Sequence, residues 1–325
     1  MRAFVTGATG FVGSQVVRRL VESGHEVACL VRPRSATSFI QGLGARLVRG
    51  DLTDKPSLVA GLAGADWLLS VGAAYSFWAR DRRSYRQVNV AGVRNVMEAA
   101  LETSVSKVIH ISSVVVYGKP TVSPVTEDVP PGPLRFSEYA QTKYEGDLVA
   151  WALHAERGLP LVMVYPGGVL GPDDPKPSGQ YIQSLVRGQM PATILDDATF
   201  PFVHVNDVAD GVVRAAETPG NIGARYILVA ENLTFGAINQ LVAEAAGIRL
   251  PRMRMPDAMA VGTAALLTGL ARVTRRPPLF GLSLDQVRTM GHSPVFDGHK
   301  AERELGMTYT PVREAIRGAV ESYRR

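Results

Sequence analysis

The chain has 325 residues, of which 46% are hydrophobic, 20% charged and 7% aromatic; this is too apolar for a disordered protein and enough for about two domains or one large α/β unit. A single cysteine, Cys29, excludes a disulfide framework and a cysteine-based zinc site, and the histidines (25, 110, 154, 204, 292 and 299) show no metal-ligand spacing. The formal charge of +5 comes from arginine spread along the chain without a block of like charge, so no nucleic-acid partner is expected.

Residues 2–6 read as a short buried strand. Residues 11–23 carry Val12, Val16, Val17, Leu20 and Val21 at helical spacing, stopped by Gly24. Further strands are predicted at 25–31, 45–48, 67–71, 107–111 and 160–165, with helices at 56–62, 85–101 and 138–157 between them. Such alternation predicts an α/β fold, a doubly wound parallel sheet of about seven strands with helices on both faces. Gly and Pro from 166 to 177 read as loop. A short strand at 202–205, a helix from Asn206 and a last sheet strand at 226–229 follow. The rest is helical, at 234–246, 256–272, 283–290, 299–305 and 311–323. A dinucleotide-binding part at 1–165 plus 202–230 is therefore expected, with a small, mostly helical substrate part at 166–201 plus 231–325. The first residues run straight into a strand with no leader pattern. The longest uncharged apolar run, 258–271, is too short to span a bilayer. A cytoplasmic protein without a stable membrane span is the expectation.

Thr6-Gly7-Ala8-Thr9-Gly10-Phe11-Val12-Gly13 sets glycines at 7, 10 and 13 between a strand and a helix. Glycines there let the backbone turn tightly and bring a pyrophosphate against free helix N–H groups, so Gly7, Thr9, Gly10, Phe11, Val12 and Gly13 are candidate cofactor contacts. The alternative, a tight turn without a ligand, is weakened by its place at the head of a long β-α alternation. The sheet is therefore read as a Rossmann sheet. About 20 residues beyond the glycines an NAD site wants a carboxylate. This chain has Arg32, Arg34 and Ser35 there instead, which suit a 2′-phosphate; NADP(H) is expected over NAD(H).

Tyr139 and Lys143 stand at i, i+4 on one helix face. An ammonium beside a phenol favours the phenolate, which makes the tyrosine usable as an acid or base near neutrality. Ser113, just past the fifth strand, can hydrogen-bond a substrate carbonyl. The alternative for both is a structural role, stronger for Ser112 than for Ser113.

These features together resemble the extended short-chain dehydrogenase/reductases. Gly50-Asp51-Leu52, Ser112-Ser113 followed by Tyr117-Gly118, Gly171-Pro172 and the late run from Lys300 to Gly306 also carry the resemblance, which covers essentially the whole chain. It is similar in particular to the hopanoid-associated sugar epimerases and the dihydroflavonol-reductase-like enzymes, through the runs 73–81 and 231–234. The resemblance implies Tyr139 as general acid/base, Lys143 also on the nicotinamide ribose, and Ser113 polarising the carbonyl. It implies Asp51 and Leu52 beside the adenine, Val71, Gly72 and Ala73 along the cofactor, and Pro166 and Val169 beside the nicotinamide. Asn89 is read as structural. A homodimer through helices 85–101 and 138–157 is common in similar enzymes.

Val114 and Val115 stand where the family's dehydratases carry Asp-Glu, which disfavours water elimination. Gly168 replaces an asparagine typical of sugar-nucleotide epimerases. The candidate substrate pocket, Tyr75, Phe77, Trp78, Tyr117, Leu134 and Phe136, is apolar and suits a hydrophobic carbonyl compound, though some of these must be ordinary core. The leading expectation is an NADP(H)-dependent carbonyl reductase acting on a small molecule, with a sugar or sugar-nucleotide epimerase as the alternative. The apolar helix 257–272, flanked by arginines, is expected to pack on the substrate part rather than on a membrane.

Overall fold

The computed structural model describes residues 1–324. Its strands, in chain order, are β1 Arg2–Thr6, β2 Glu26–Val31, β3 Arg46–Arg49, β4 Trp67–Ser70, β5 Lys107–Ile111, β6 Leu161–Pro166, β7 Gly168–Leu170, β8 Thr193–Ile194, β9 Thr199–His204, β10 Arg225–Leu228, β11 Glu231–Thr234 and β12 Arg254–Met255. Seven of them form one sheet in the order β3-β2-β1-β4-β5-β6-β10, with every pairing parallel. All residues of β4, β5 and β6 are buried, as strands covered on both faces must be. On one face Val16, Val17 and Leu20 of helix Phe11–Glu22 pack with Val208, Val212 and Val213 of helix Val205–Glu217. On the other, Val93, Val96 and Met97 of helix Val93–Glu102 and Ala150 and Leu153 of helix Glu138–Arg157 close over Phe4, Leu68 and Met163. The doubly wound Rossmann architecture is thus present.

Helix Glu138–Arg157 has the ends its sequence prescribes. Ser137 Oγ accepts from Ala140 N at 3.2 Å, Glu138 lies in the first turn, and Gly158 closes the helix at φ 70°. The continuous helix predicted at 85–101 is interrupted. A short α-turn, Arg83–Arg86, passes into a π-helical turn, Gln87–Gly92, before Val93–Glu102 begins. The wide turn aims the buried Asn89 side chain back at the end of β4, where its Oδ1 accepts from Ala74 N at 2.8 Å.

The Gly- and Pro-rich run read as loop contains β7, which pairs parallel with β9, while β11 pairs antiparallel on the other edge of β9. The expected boundary at 202 therefore falls inside β9, and residues 202–204 belong to this small second sheet. Phe200 and Phe202 draw the strand there by packing with Leu170, Phe235, Ile316 and Val320 in a separate core. A further short helix, Ser38–Gly42, follows β2. No helix among the described residues is long and apolar enough to cross a membrane.

Candidate active site

The glycine turn lies where β1 sits between β2 and β4, the point at which strand order reverses. Its three glycines converge on one carbonyl. Gly7 O accepts from Gly10 N at 2.9 Å, and a Cβ on Gly13 would stand 2.1 Å from that oxygen. Gly7 itself has φ +70°, and a Cβ there would stand 2.6 Å from the Gly72 Cα. Side chains are thus excluded from both the turn and the end of β4. Gly10 caps helix Phe11–Glu22 with no side-chain bond, so the first helical N–H groups remain available to an anion. This cradle fits a dinucleotide. The other expected cofactor residues follow or end strands β2, β3, β4 and β6 of this sheet, except Val169, which lies on β7 of the small second sheet. Arg32, Arg34 and Ser35 follow β2, with Ser35 Oγ accepting from Arg32 N at 3.3 Å. Both arginines are exposed and make no ion pair among the described residues. Asp51 and Leu52 follow β3, and Leu52 packs 3.1 Å from the Cβ position of Gly72. Val71, Gly72 and Ala73 follow β4, Pro166 ends β6, and Val169 lies on β7.

Ser113 and Tyr139 come together at the end of β5. Ser113 Oγ accepts from Val115 N at 3.5 Å, and Tyr75 and Phe77 close over the Tyr139 ring edge-on, with centroids 4.9 and 6.1 Å away. Tyr139 is 7% exposed. Burial, reinforced by Tyr75, pushes its phenol above the ordinary value, and the nearby Ser113 hydroxyl opposes this. The expectation that Lys143 lowers this group is therefore corrected. The Lys143 ammonium donates to Ile111 O at 2.8 Å, and desolvation of the phenolate outweighs every favourable contact of Tyr139. Burial in turn lowers Lys143, while Asp147 partly offsets the shift.

Asp147 was not singled out in the sequence, although it stands at i+4 from Lys143 on the same helix face. Its carboxyl accepts from Ser112 Oγ at 2.6 Å, and its other oxygen is 3.8 Å from His110 Nε2. His110 Nδ1 lies 3.0 Å from Ser70 Oγ. Burial pushes Asp147 up to about 7, against the pull of Lys143 and Ser112, and pushes His110 well down. The sign follows directly. The folded chain keeps a proton that the unfolded chain has released, so stability is lost as pH rises from about 4 to about 7. Asp147→Asn removes that slope. Urea unfolding across the window shows wild type losing on the order of 3 kcal/mol more than the variant. Parallel curves would mean that the carboxyl is ionised throughout.

The expected pocket residues divide. Tyr75 and Phe77 form the cover of Tyr139. Trp78 follows them in the same loop, bonded through its N–H to Ser76 Oγ. Phe136 stacks on His292 with centroids 4.7 Å apart, at a crevice that Val115, Phe200 and Thr289 also line. Tyr117 does not belong with them. It is 1% exposed, between Tyr165 and Phe296 in the core below the sheet, because the turn Val114–Tyr117 rotates it inward. Leu134 is exposed to solvent. A groove of about 550 Å³, lined among others by Asp173, Gln183, Arg187 and Tyr323, holds none of Ser113, Tyr139 and Lys143.

A dinucleotide cradle and a Ser/Tyr/Lys cluster at the carboxyl edge of one Rossmann sheet define a nicotinamide-dependent enzyme class. The NAD dependent epimerase/dehydratase family matches residues 3–229, and the chain belongs to it. It is 31% identical to a dihydroflavonol 4-reductase-like protein of Synechocystis sp., over 98% of this chain and 93% of that one. It is 33% identical to sterol demethylase protein B of Methylococcus capsulatus, over 100% and 98% of the two chains. The crystal structure of gox2253 superposes with a TM-score of 0.84 at 36% identity, over 99% and 97% of the chains. The chain is an NAD(P)-dependent enzyme with the fold of the extended short-chain dehydrogenase/reductases.

Proposed function

We propose that the chain is an NADP(H)-dependent reductase of a carbonyl group in a hydrophobic small molecule. The observation that carries this reading is the apolar enclosure of the Tyr139 phenol, which lies under the aromatic rings of Tyr75 and Phe77. A protonated phenol is the form that reduction needs, since the carbonyl oxygen must receive a proton. When bound, NADPH supplies the hydride. Tyr139 Oη gives its proton to the carbonyl oxygen, and Ser113 Oγ donates a hydrogen bond to the same oxygen. Lys143, fixed on Ile111 O, would hold the nicotinamide ribose. The names of the relatives support a hydrophobic substrate, since one is called for a flavonoid reductase and another for sterol chemistry. Assay of NADPH consumption against a panel of aldehydes and ketones tests the reading. Silence across the panel together with turnover of a sugar nucleotide would reject it in favour of the second reading, an epimerase using the same trio. That alternative is supported by the family matched over residues 3–229.

Arg32 and Arg34, unpaired beside Ser35, would meet the 2′-phosphate of NADPH. Arg32→Asp weakens NADPH by roughly 10- to 100-fold and leaves NADH equal or tighter, measured by fluorescence titration. Unchanged relative affinities would place the arginine outside the site and leave NAD(H) as the cofactor.

A further inference from the structure

Helix Asp257–Thr274 is built inside out for a water-exposed helix. Ala260, Ala264, Thr268 and Ala271 face the protein and are buried, with Val261 and Leu267 half-buried beside them, whereas four large side chains face solvent. Met259, Leu266, Leu270 and Val273 are 59, 74, 57 and 82% exposed. At about 100° per residue they fall within an arc of roughly 60°, a single stripe along the helix. Ordinary soluble surfaces do not expose a contiguous apolar stripe of this kind without a partner.

The charge around the stripe is one-sided. Residues 258–284 contain no aspartate or glutamate, and Arg272, Arg275 and Arg276 stand at the C-terminal end of the helix. All three are exposed and make no ion pair among the described residues. Arg252 is likewise exposed just before the helix. An apolar stripe whose C-terminal rim is cationic and unpaired, with acids only near its N-terminal end at Asp257 and the Arg254-paired Asp197, complements an anionic lipid surface. A second copy of the chain complements it less well, since it would bring the same cations to the same face with only Asp257 to meet them.

We propose that this stripe is a peripheral docking face for an anionic bilayer, on which the helix lies without crossing. The buried side of the helix leads toward the candidate site. Thr268 Oγ1 accepts from Leu284 N at 2.9 Å, and the next residue, Asp285, accepts from Glu138 N at 3.3 Å, one position before Tyr139. Asp285 is also 3.8 Å from Arg82, in the segment that follows the aromatic cover of Tyr139. The docked helix would thus be joined through Leu284 and Asp285 to the residue that precedes Tyr139, and on the reading of a hydrophobic substrate above the lipid phase is where such a substrate would be met.

Co-sedimentation with vesicles tests the docking directly and does not depend on turnover. Wild type is expected to bind phosphatidylglycerol vesicles and to bind pure phosphatidylcholine at least tenfold more weakly. Leu266→Asp is expected to lose binding to both, and Arg275→Gln with Arg276→Gln to lose the preference for the anionic lipid. Both variants should reduce a short, water-soluble ketone at the wild-type rate, so a failed reductase assay and a failed docking assay are told apart. No sedimentation with anionic vesicles, or sedimentation unaffected by Leu266→Asp, would overturn the proposal. A concentration-dependent dimer in light scattering that Leu266→Asp dissociates would also overturn it, by giving the face to a second copy.

Discussion

Tyr139→Phe is expected to lower turnover by about 10²- to 10⁴-fold, the range over which a positioned general acid contributes. The substitution deletes one oxygen and keeps the ring that Tyr75 and Phe77 cover. Among the described residues the lost hydroxyl makes no side-chain hydrogen bond, so the unfolding midpoint should stay near wild type. Nicotinamide cofactor affinity should change little as well, because Tyr139 takes no part in the turn after β1 that Gly7, Gly13 and Gly72 shape. Steady-state rates, cofactor titration and thermal unfolding together check this. Activity within a few-fold of wild type would mean that the proton comes from another group.

Gly13→Val is expected to abolish cofactor binding, by at least about 100-fold in affinity. The Cβ alone would press within 2.1 Å of Gly7 O, a backbone atom fixed by its bond to Gly10 N. The turn cannot yield toward β4, because Gly7 already meets the backbone of Gly72. Overpacking of this kind costs about 1–3 kcal/mol in stability, which a Rossmann core of this size withstands. Displacement of the helix N-terminus from the pyrophosphate position should therefore be the dominant effect. Equilibrium binding of NADPH on the folded variant measures it. Wild-type affinity would show that the turn is structural and that the dinucleotide binds elsewhere.

Much of the molecule was legible in the sequence because its signals are local and repeated. Strand–helix alternation, the Gly24 stop of the first helix and the Gly7–Gly13 turn each depend on short-range chemistry. The sheet order then follows from connecting parallel strands through helices. The small sheet was hidden because β7 is three residues long and sits in a Gly- and Pro-rich run, where turn chemistry masks period-two alternation. The π turn at Gln87–Gly92 leaves no mark in the apolar pattern, since it exists to direct Asn89 at Ala74.

The site divides along the same line. The pairing of Tyr139 with Lys143 could be read from i, i+4 spacing, but the state of the phenol could not. That state depends on Tyr75 and Phe77, which arrive from a segment some sixty residues away and are not periodic with it. Asp147 had the same helical spacing as the pair and was legible in principle; what marks it is its burial with His110 and Ser112, which only the fold supplies. Tyr117 shows the converse. Aromatic composition near a catalytic motif suggested a pocket, and the turn after Ser113 buried the ring in the core instead.

The central claim is that this chain reduces a carbonyl with NADPH while Tyr139 supplies the proton. The most direct measurement follows an isotope. With NADPH deuterated at the transferable nicotinamide position and a hydrophobic ketone that the enzyme turns over, the product alcohol should carry one deuterium at the carbinol carbon, and Tyr139→Phe should form almost none of it. Product without label, or cofactor returned unchanged while a sugar nucleotide is converted to its epimer, would contradict the account.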